Sequence, residues 1–219
     1  MARPVKKTPE QWKKEILDAA QSLFISKGYE ETSVSDIMNM AGGAKGMFYH
    51  CFDSKEEVMH ALGNKLFFEN NPFEAVKDRN DLNGLQKIRQ LLVINQSDTE
   101  RNSLNVQAVS ILKDPHILAA AVEENRRILT PLWLELLEEG KKDGSINTEY
   151  TKELSELLPL INFWLMPTVF PATEEELRHK YHFVMEILAH MGLPILDEEI
   201  VSFTEKFIID ISEKGGSEL

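Results

Sequence analysis

The sequence predicts an all-α fold. Apolar residues recur three and four positions apart along most of the 219-residue chain, the spacing of one helix face. Ser33-Val34-Ser35-Asp36 and Ser54-Lys55-Glu56-Glu57 read as capping boxes, in which a hydroxyl and a carboxylate satisfy backbone amides at a helix start. Strand signals are few.

The first helix opens after Thr8, with Pro9 at the position where a missing N–H costs nothing. Ile16, Leu17, Ala20, Leu23 and Phe24 share its apolar face, and Lys27-Gly28 reads as a cationic last turn followed by a glycine stop. Ser33 starts a second, short helix with Val34, Ile37, Met38 and Ala41 as its stripe. Gly42-Gly43 breaks it. A third helix spans 44–51, with Phe48, Cys51 and Phe52 facing inward, and Asp53-Ser54 ends it. Helices are then expected over 54–71, 82–96, 100–113, 115–140, 148–169, 174–192 and 197–213. They are separated at Asn70-Asn71-Pro72, Asp114-Pro115, Gly140 to Gly144, Pro171 and Gly192-Leu193-Pro194. The domain organisation expected is 1–55, a larger helical domain over 56–213, and a flexible tail at 214–219.

Charge is uneven. The chain holds 36 Asp and Glu against 24 Lys and Arg, a net −12, yet residues 1–55 carry eight basic and seven acidic side chains. Arg3, Lys6, Lys7, Lys13 and Lys14 make a basic N-terminal arm. The asymmetry points to a small anion-binding end on an acidic body, or to a solvated arm. A single cysteine, Cys51, excludes an intramolecular disulfide framework and a multi-cysteine metal site, and fits a cytoplasmic protein. The N-terminus has no apolar secretory core. The most apolar run, 157–170, is too short to span a membrane and reads as a buried helix.

Two short helices joined by a glycine turn are what a helix-turn-helix requires. The first helix of such a pair braces against the DNA backbone, and the second lies in the major groove. With Phe48 and Phe52 inward, Lys45, Gly46, Tyr49 and His50 fall on other faces. Lys55, at a helix N-terminus, adds its charge to free amides, a good phosphate site.

The run ETSVSDIMNMAGGAKGMFYHCFDSKEEVMHAL (31–62) resembles the DNA-binding signature of the TetR family of one-component transcriptional regulators. The resemblance covers about fifty N-terminal residues, in register and without gaps. It implies an all-helical homodimer with an N-terminal three-helix helix-turn-helix domain and a larger ligand-binding and dimerisation domain, released from its operator by a small molecule. It also implies roles. Lys45 takes the place of a recognition-helix lysine near backbone or base edge, and Tyr49 and His50 that of a phosphate-contacting pair. Lys55 falls on a further phosphate contact, and Thr32 and Ser33 on the pair that opens the second helix and touches phosphate. Four positions depart from the pattern. Ala44 lacks the usual hydroxyl, Gly43 replaces an apolar turn residue and is expected to loosen the turn, and Cys51 replaces an aromatic. Met47 replaces a residue that often faces bases; it offers apolar contact, for example to a thymine methyl, without bidentate hydrogen bonding.

In the larger domain, residues 157–170 are apolar nearly all round, so burial on more than one face is expected. A central helix or a dimer would supply it. The expected dimer interface takes Leu157, Ile161, Trp164, Phe183, Ile187 and Met191 from 148–169 and 174–192. Candidate pocket residues are Phe67, Gln96, Gln107, Asn125, Trp133, Asn162 and Met166, bulky or amide side chains that equally suit a core. Asn162, a polar group inside the apolar run, would need a partner there. His179, His182, Glu186 and His190 share one helical face and are metal-capable, although a solvated stripe explains them more simply.

The expected function is a ligand-responsive DNA-binding regulator with double-stranded operator DNA, a small-molecule effector and a second copy as partners, no membrane and no cofactor. The alternative is a helical DNA-associated or protein-interaction module of weak sequence specificity. An enzyme is not expected. Catalytic motifs are missing, and Gly42-Gly43-Ala44-Lys45-Gly46 has neither the spacing nor the preceding strand of a phosphate loop.

Overall fold

The computed structural model of this chain describes residues 7–97, 99–166, 169–195 and 200, with backbone alone at a few positions between 99 and 110. The described residues contain helices and turns and no strand. The helices are α1 (Pro9–Lys27), α2 (Val34–Ala41), α3 (Lys45–Tyr49), α4 (Lys55–Glu69), α5 (Pro72–Lys77), α6 (Gly84–Ser97), α7 (Thr99–Ala108), α8 (Pro115–Asp143), α9 (Thr151–Trp164) and α10 (Glu174–His190). The start of the basic arm, the helix expected over 197–213 apart from Ile200, and the tail lie outside the described residues.

Most starts follow local chemistry. The Thr8 hydroxyl accepts from the Gln11 amide and the Gln11 side chain accepts from the Thr8 amide, so Pro9 opens α1 as expected. Ser33 and Asp36 form the same reciprocal pair at α2. At α4 the Ser54 hydroxyl accepts from the Glu57 amide, while the Glu57 carboxylate accepts from the Asp53 amide, one residue earlier than the predicted box requires. Asn70-Asn71-Pro72 is a helix start rather than a plain break: Asn71 accepts from the Phe73 amide at 3.0 Å and Pro72 sits in the first turn of α5. α9 stops at Trp164, short of the expected 169. Pro167 disfavours helical backbone at the residue before it, and the amides of Val169 and Phe170 both turn back to the Met166 carbonyl.

The chain divides into two compact units. The N-terminal unit runs through Glu69, taking in all of α4 rather than ending at 55, and includes Glu100–Ile111. Its α1 packs on α2 and α4, and α2 on α3. Ile16, Phe24, Ile37, Phe48, Val58 and Leu62 are fully buried there. The second unit holds Asn70–Thr99 and the described residues from Leu112 on. In it α8 packs along α9 and against α6, which also meets α5.

The α6–α8 crossing depends on two glycines. A Cβ at Gly84 would stand 2.3 Å from the Gly140 amide nitrogen and Cα. That closeness lets Asp143 accept from the Gly84 amide at 2.6 Å and Ser145 from the Leu85 amide at 3.1 Å, so the end of α8 caps the start of α6. One turn on, buried Lys87 donates to the Lys77 carbonyl at 2.9 Å and to Glu139 at 2.6 Å.

Gly84→Ala should therefore destabilise the second unit by about 1–3 kcal/mol in urea unfolding, because its methyl meets backbone that cannot rotate away. Gly63→Ala, on the exposed side of α4 with nothing within 4 Å of the added carbon, should instead gain about 0.5–1 kcal/mol from helix propensity.

Candidate nucleic-acid interface

α2 and α3 are joined by Gly42, whose φ of +72° is open to glycine and strained for most residues. Its amide points to the carbonyls of Met38 and Asn39, and the Gly43 amide reaches the Met38 carbonyl at 2.9 Å, closing α2. The turn at Gly43 is not loose. A Cβ there would lie 2.6 Å from Met38 Cε and 2.7 Å from the Trp12 ring, so Trp12 and Met38 fill the place an apolar turn residue would take.

α3 is a single short stretch. Ala44 takes its N-cap position and makes no side-chain bond there, as the missing hydroxyl implies. Phe48 is fully buried, edge-on to Tyr49 at 5.4 Å and tilted against Phe52 at 6.1 Å, and Cys51 and Phe52 are buried beside it. With that face in the core, Lys45, Gly46, Tyr49 and His50 are exposed and Met47 is half-exposed. The expected reading face of α3 thus stands in solvent as one surface.

Two other candidates have different work. Thr32 is 1% exposed and its hydroxyl donates to the Gly28 carbonyl at 2.6 Å, so it turns the chain out of α1 rather than meeting a phosphate. Lys55, half-exposed, has its ammonium engaged within the chain. The Nζ donates to the carbonyls of Tyr29 at 2.8 Å and Thr32 at 3.0 Å, and sits 4.1 Å over the Tyr29 ring. In this structure Lys55 clamps the loop that precedes α2, a contact its place at a helix start does not announce. Ser33 remains exposed, but its hydroxyl is engaged with Asp36.

Tyr29, which sequence reasoning passed over, is the centre of this loop. Its amide donates to Gln107 Oε1 at 2.7 Å and its hydroxyl to Glu56 at 3.0 Å. Burial, then the hydrogen bond to Glu56, push the phenol well above its ordinary range, so it stays a neutral donor. Gln107, expected in a pocket, belongs to this N-terminal unit and holds its loop. Lys27 also bonds Asp36 at 2.8 Å, tying the end of α1 to the start of α2. That lysine first, then Ser33, holds the Asp36 carboxyl well below the usual carboxylate range.

Of the remaining pocket candidates, Phe67 belongs to the N-terminal unit and Gln96, Asn125, Trp133, Asn162 and Met166 to the second. Phe67 is in the N-terminal unit, half-buried and edge-on to Phe68. Trp133 is buried edge-on to Phe73, and Gln96, Asn125 and Met166 are half-buried in the second unit. Asn162 is exposed one turn beyond buried Leu158, and the side of α9 that carries Leu157, Leu160 and Trp164 is left bare. The expectation that 157–170 is buried on more than one face therefore fails within one copy of the chain.

That bare side is the second notable surface. Leu157, Leu160, Ile161 and Trp164 of α9 and Phe183, Val184, Ile187 and Leu188 of α10 line an apolar groove of about 280 Å³. Leu157, Leu160 and Phe183 are 43%, 45% and 54% exposed. Five of the six expected interface residues lie here; Met191 sits instead at the C-cap of α10. Leu160, Val184 and Leu188 are not among the expected residues, although the spacing 157, 160, 161, 164 is one helical stripe. His179, His182, Glu186 and His190 are exposed on α10, and the His190 ring is 2.7 Å from the Glu186 carbonyl of its own helix. No three metal-capable side chains converge among the described residues. No described helix is long and apolar enough to cross a membrane.

Comparison with known proteins gives concordant results. The family model for bacterial regulatory proteins of the tetR family matches residues 16–62. The HTH-type transcriptional repressor KstR2 of Rhodococcus jostii is 31% identical over 151 residues, covering 64% of this chain and 71% of that protein. KstR2 of Mycolicibacterium smegmatis is 25% identical over 162 residues, 70% of this chain and 77% of that one. Among solved structures, Thermus thermophilus FadR, a TetR-family repressor in complex with lauroyl-CoA, shares the fold with a TM-score of 0.60 and 21% identity, over 85% of this chain and 96% of that one. A TetR/AcrR-family regulator from Thermobifida fusca gives a TM-score of 0.52 at 23% identity, over 78% and 95%.

Lys55→Met should lower the stability of the N-terminal unit by about 2 kcal/mol, the size of a charged hydrogen-bond network lost from a half-buried loop. The salt dependence of DNA binding should stay that of the unaltered protein, because no phosphate contact is removed. Thermal melting and a salt titration of duplex binding check the two parts.

Proposed function

Because the chain belongs to the tetR family of bacterial regulatory proteins, we propose that it is a transcriptional repressor whose N-terminal unit binds operator DNA and which a small molecule releases. The observation that carries the DNA half is the α3 surface. Lys45, Tyr49 and His50 stand exposed on a helix whose other face is anchored by fully buried Phe48. Its glycine turn and capped α2 supply the geometry of a helix-turn-helix, with α3 as the groove-reading helix. In this reading Tyr49, His50 and the exposed Ser33 meet phosphates, and Lys45 meets a phosphate or a base edge.

The α9–α10 groove supports a homodimer. An apolar surface of this kind marks an interface, and two copies packed on it would make an isologous four-helix arrangement. A dimer also suits operator reading, since two α3 helices must reach half-sites about 34–36 Å apart. Release would be a population shift: the effector favours a state whose reading helices are wrongly spaced, and a 99:1 reversal needs about 5.5 kcal/mol of differential affinity. The protein would act in the cytoplasm and without catalysis. A second reading, a module of weak sequence specificity, draws on Ala44, which leaves α3 without a side-chain cap. Specific binding with a steep salt dependence favours the first reading over it.

The test is fluorescence anisotropy of the purified protein on the DNA upstream of its own gene, with scrambled duplex as competitor. Tight binding to the upstream DNA alone is expected; equal, weak binding to both duplexes would favour the second reading. Tyr49→Ala should weaken binding about fivefold to every sequence, with no change in salt slope because no Lys or Arg is removed. Phe183→Asp should halve the mass seen by light scattering without unfolding the chain, since that ring is 54% exposed. An unchanged mass would remove α10 from the interface.

A further inference from the structure

Resting on the DNA-binding reading above, we propose that Met47 selects thymine in each operator half-site, through contact with the thymine C5-methyl group. Residues 44–47 are the part of α3 nearest its N-terminus, the end that reaches base edges in a helix-turn-helix. Ala44 is exposed and offers only a methyl group. Gly46 is exposed with nothing within 4 Å of where a Cβ would be, so the helix presents bare backbone beside Met47. Phe48 is spent in the core, at 0% exposure. Over residues 44–47, Lys45 therefore carries the only side chain able to make strong hydrogen bonds, and Met47, half-exposed, supplies the apolar reach.

The chemistry of the groove then decides. Adenine and cytosine present amino donors there, guanine presents two acceptors, and thymine alone adds a methyl group. A thioether is a weak acceptor and no donor. Pressed against an amino group or the guanine acceptors, it strips water and returns no strong bond, which is unfavourable. Against a methyl group it loses nothing and buries apolar surface on both sides, and its unbranched, polarisable chain adapts to the fit. The selection is thus partly attraction and partly rejection of the other three bases.

The experiment uses the full-length protein. Duplexes that bind tightly are selected from a randomised library, and in the best of them each thymine is replaced in turn by uracil, which keeps the base pair and removes only the methyl group. At one symmetric pair of positions, uracil should weaken binding about fourfold per methyl removed. Met47→Ser should be indifferent to that replacement while melting at the temperature of the unaltered protein. Met47→Leu should restore the preference. A selected operator that tolerates uracil at every thymine would overturn this inference and leave the regulator intact; so would a Met47→Ser protein that keeps the penalty. A library that yields no enriched sequence would overturn sequence-specific regulation and this inference with it.

Discussion

The ammonium of Lys55 lies 2.8 Å from the carbonyl of Tyr29 and 3.0 Å from that of Thr32. These carbonyls belong to the loop that leaves α1 at Gly28 and enters α2 at Ser33, where no helix supplies them with partners. One cation from the first turn of α4 serves both, and the Tyr29 ring beneath it adds a cation–π contact at 4.1 Å. The rest of the N-terminal unit follows from that clamp. The loop fixes where Ser33 caps α2. α2 fixes Gly42, and Gly42 aims α3. Gln107 and Glu56 lock the same tyrosine from two further sides. These polar staples between distant segments add to an apolar core that includes Ile16, Phe24, Ile37, Phe48, Val58 and Leu62.

The second unit solves a different problem. Its helices approach by removing side chains rather than by adding bonds: Gly84 and Gly140 let α6 and α8 touch backbone to backbone. The same unit leaves Leu157, Leu160, Phe183 and Ile187 exposed along the groove between α9 and α10. Trp164 and Phe183 meet edge to face at 5.8 Å across that groove. Side chains already held in contact have less rotamer freedom to lose on association.

Much of the fold was legible because its signals act within a few residues. Thr8-Pro9, Ser33 to Asp36 and Asp114-Pro115 each announce a helix start through a side chain that reaches two or three positions. Asn71-Pro72 carries the same signal as Asp114-Pro115, but the helix it opens is only six residues long, too short for a periodicity to announce it. Phe48, Cys51 and Phe52 were identifiable as core from spacing alone. Thr32 and Lys55 were not legible in their actual roles. Their partners lie respectively four and 23 to 26 positions away, and a cation at a helix start looks the same in sequence whether it faces a phosphate or a carbonyl.

By itself the sequence determined the helical content, the capped and glycine-broken pair α2–α3, the inward face of α3 and the apolar stripes of α9 and α10, since all of these follow from periodicity and short-range hydrogen bonding. Tertiary structure alone decided which polar groups stay free. It withdrew Lys55, Thr32 and Gln107 into the loop before α2, seated Trp12 on Gly43, and left Asn162 in solvent. The physical reason is that a buried donor or acceptor must be paired, and the pairing depends on which segments meet in space rather than on how far apart they lie along the chain.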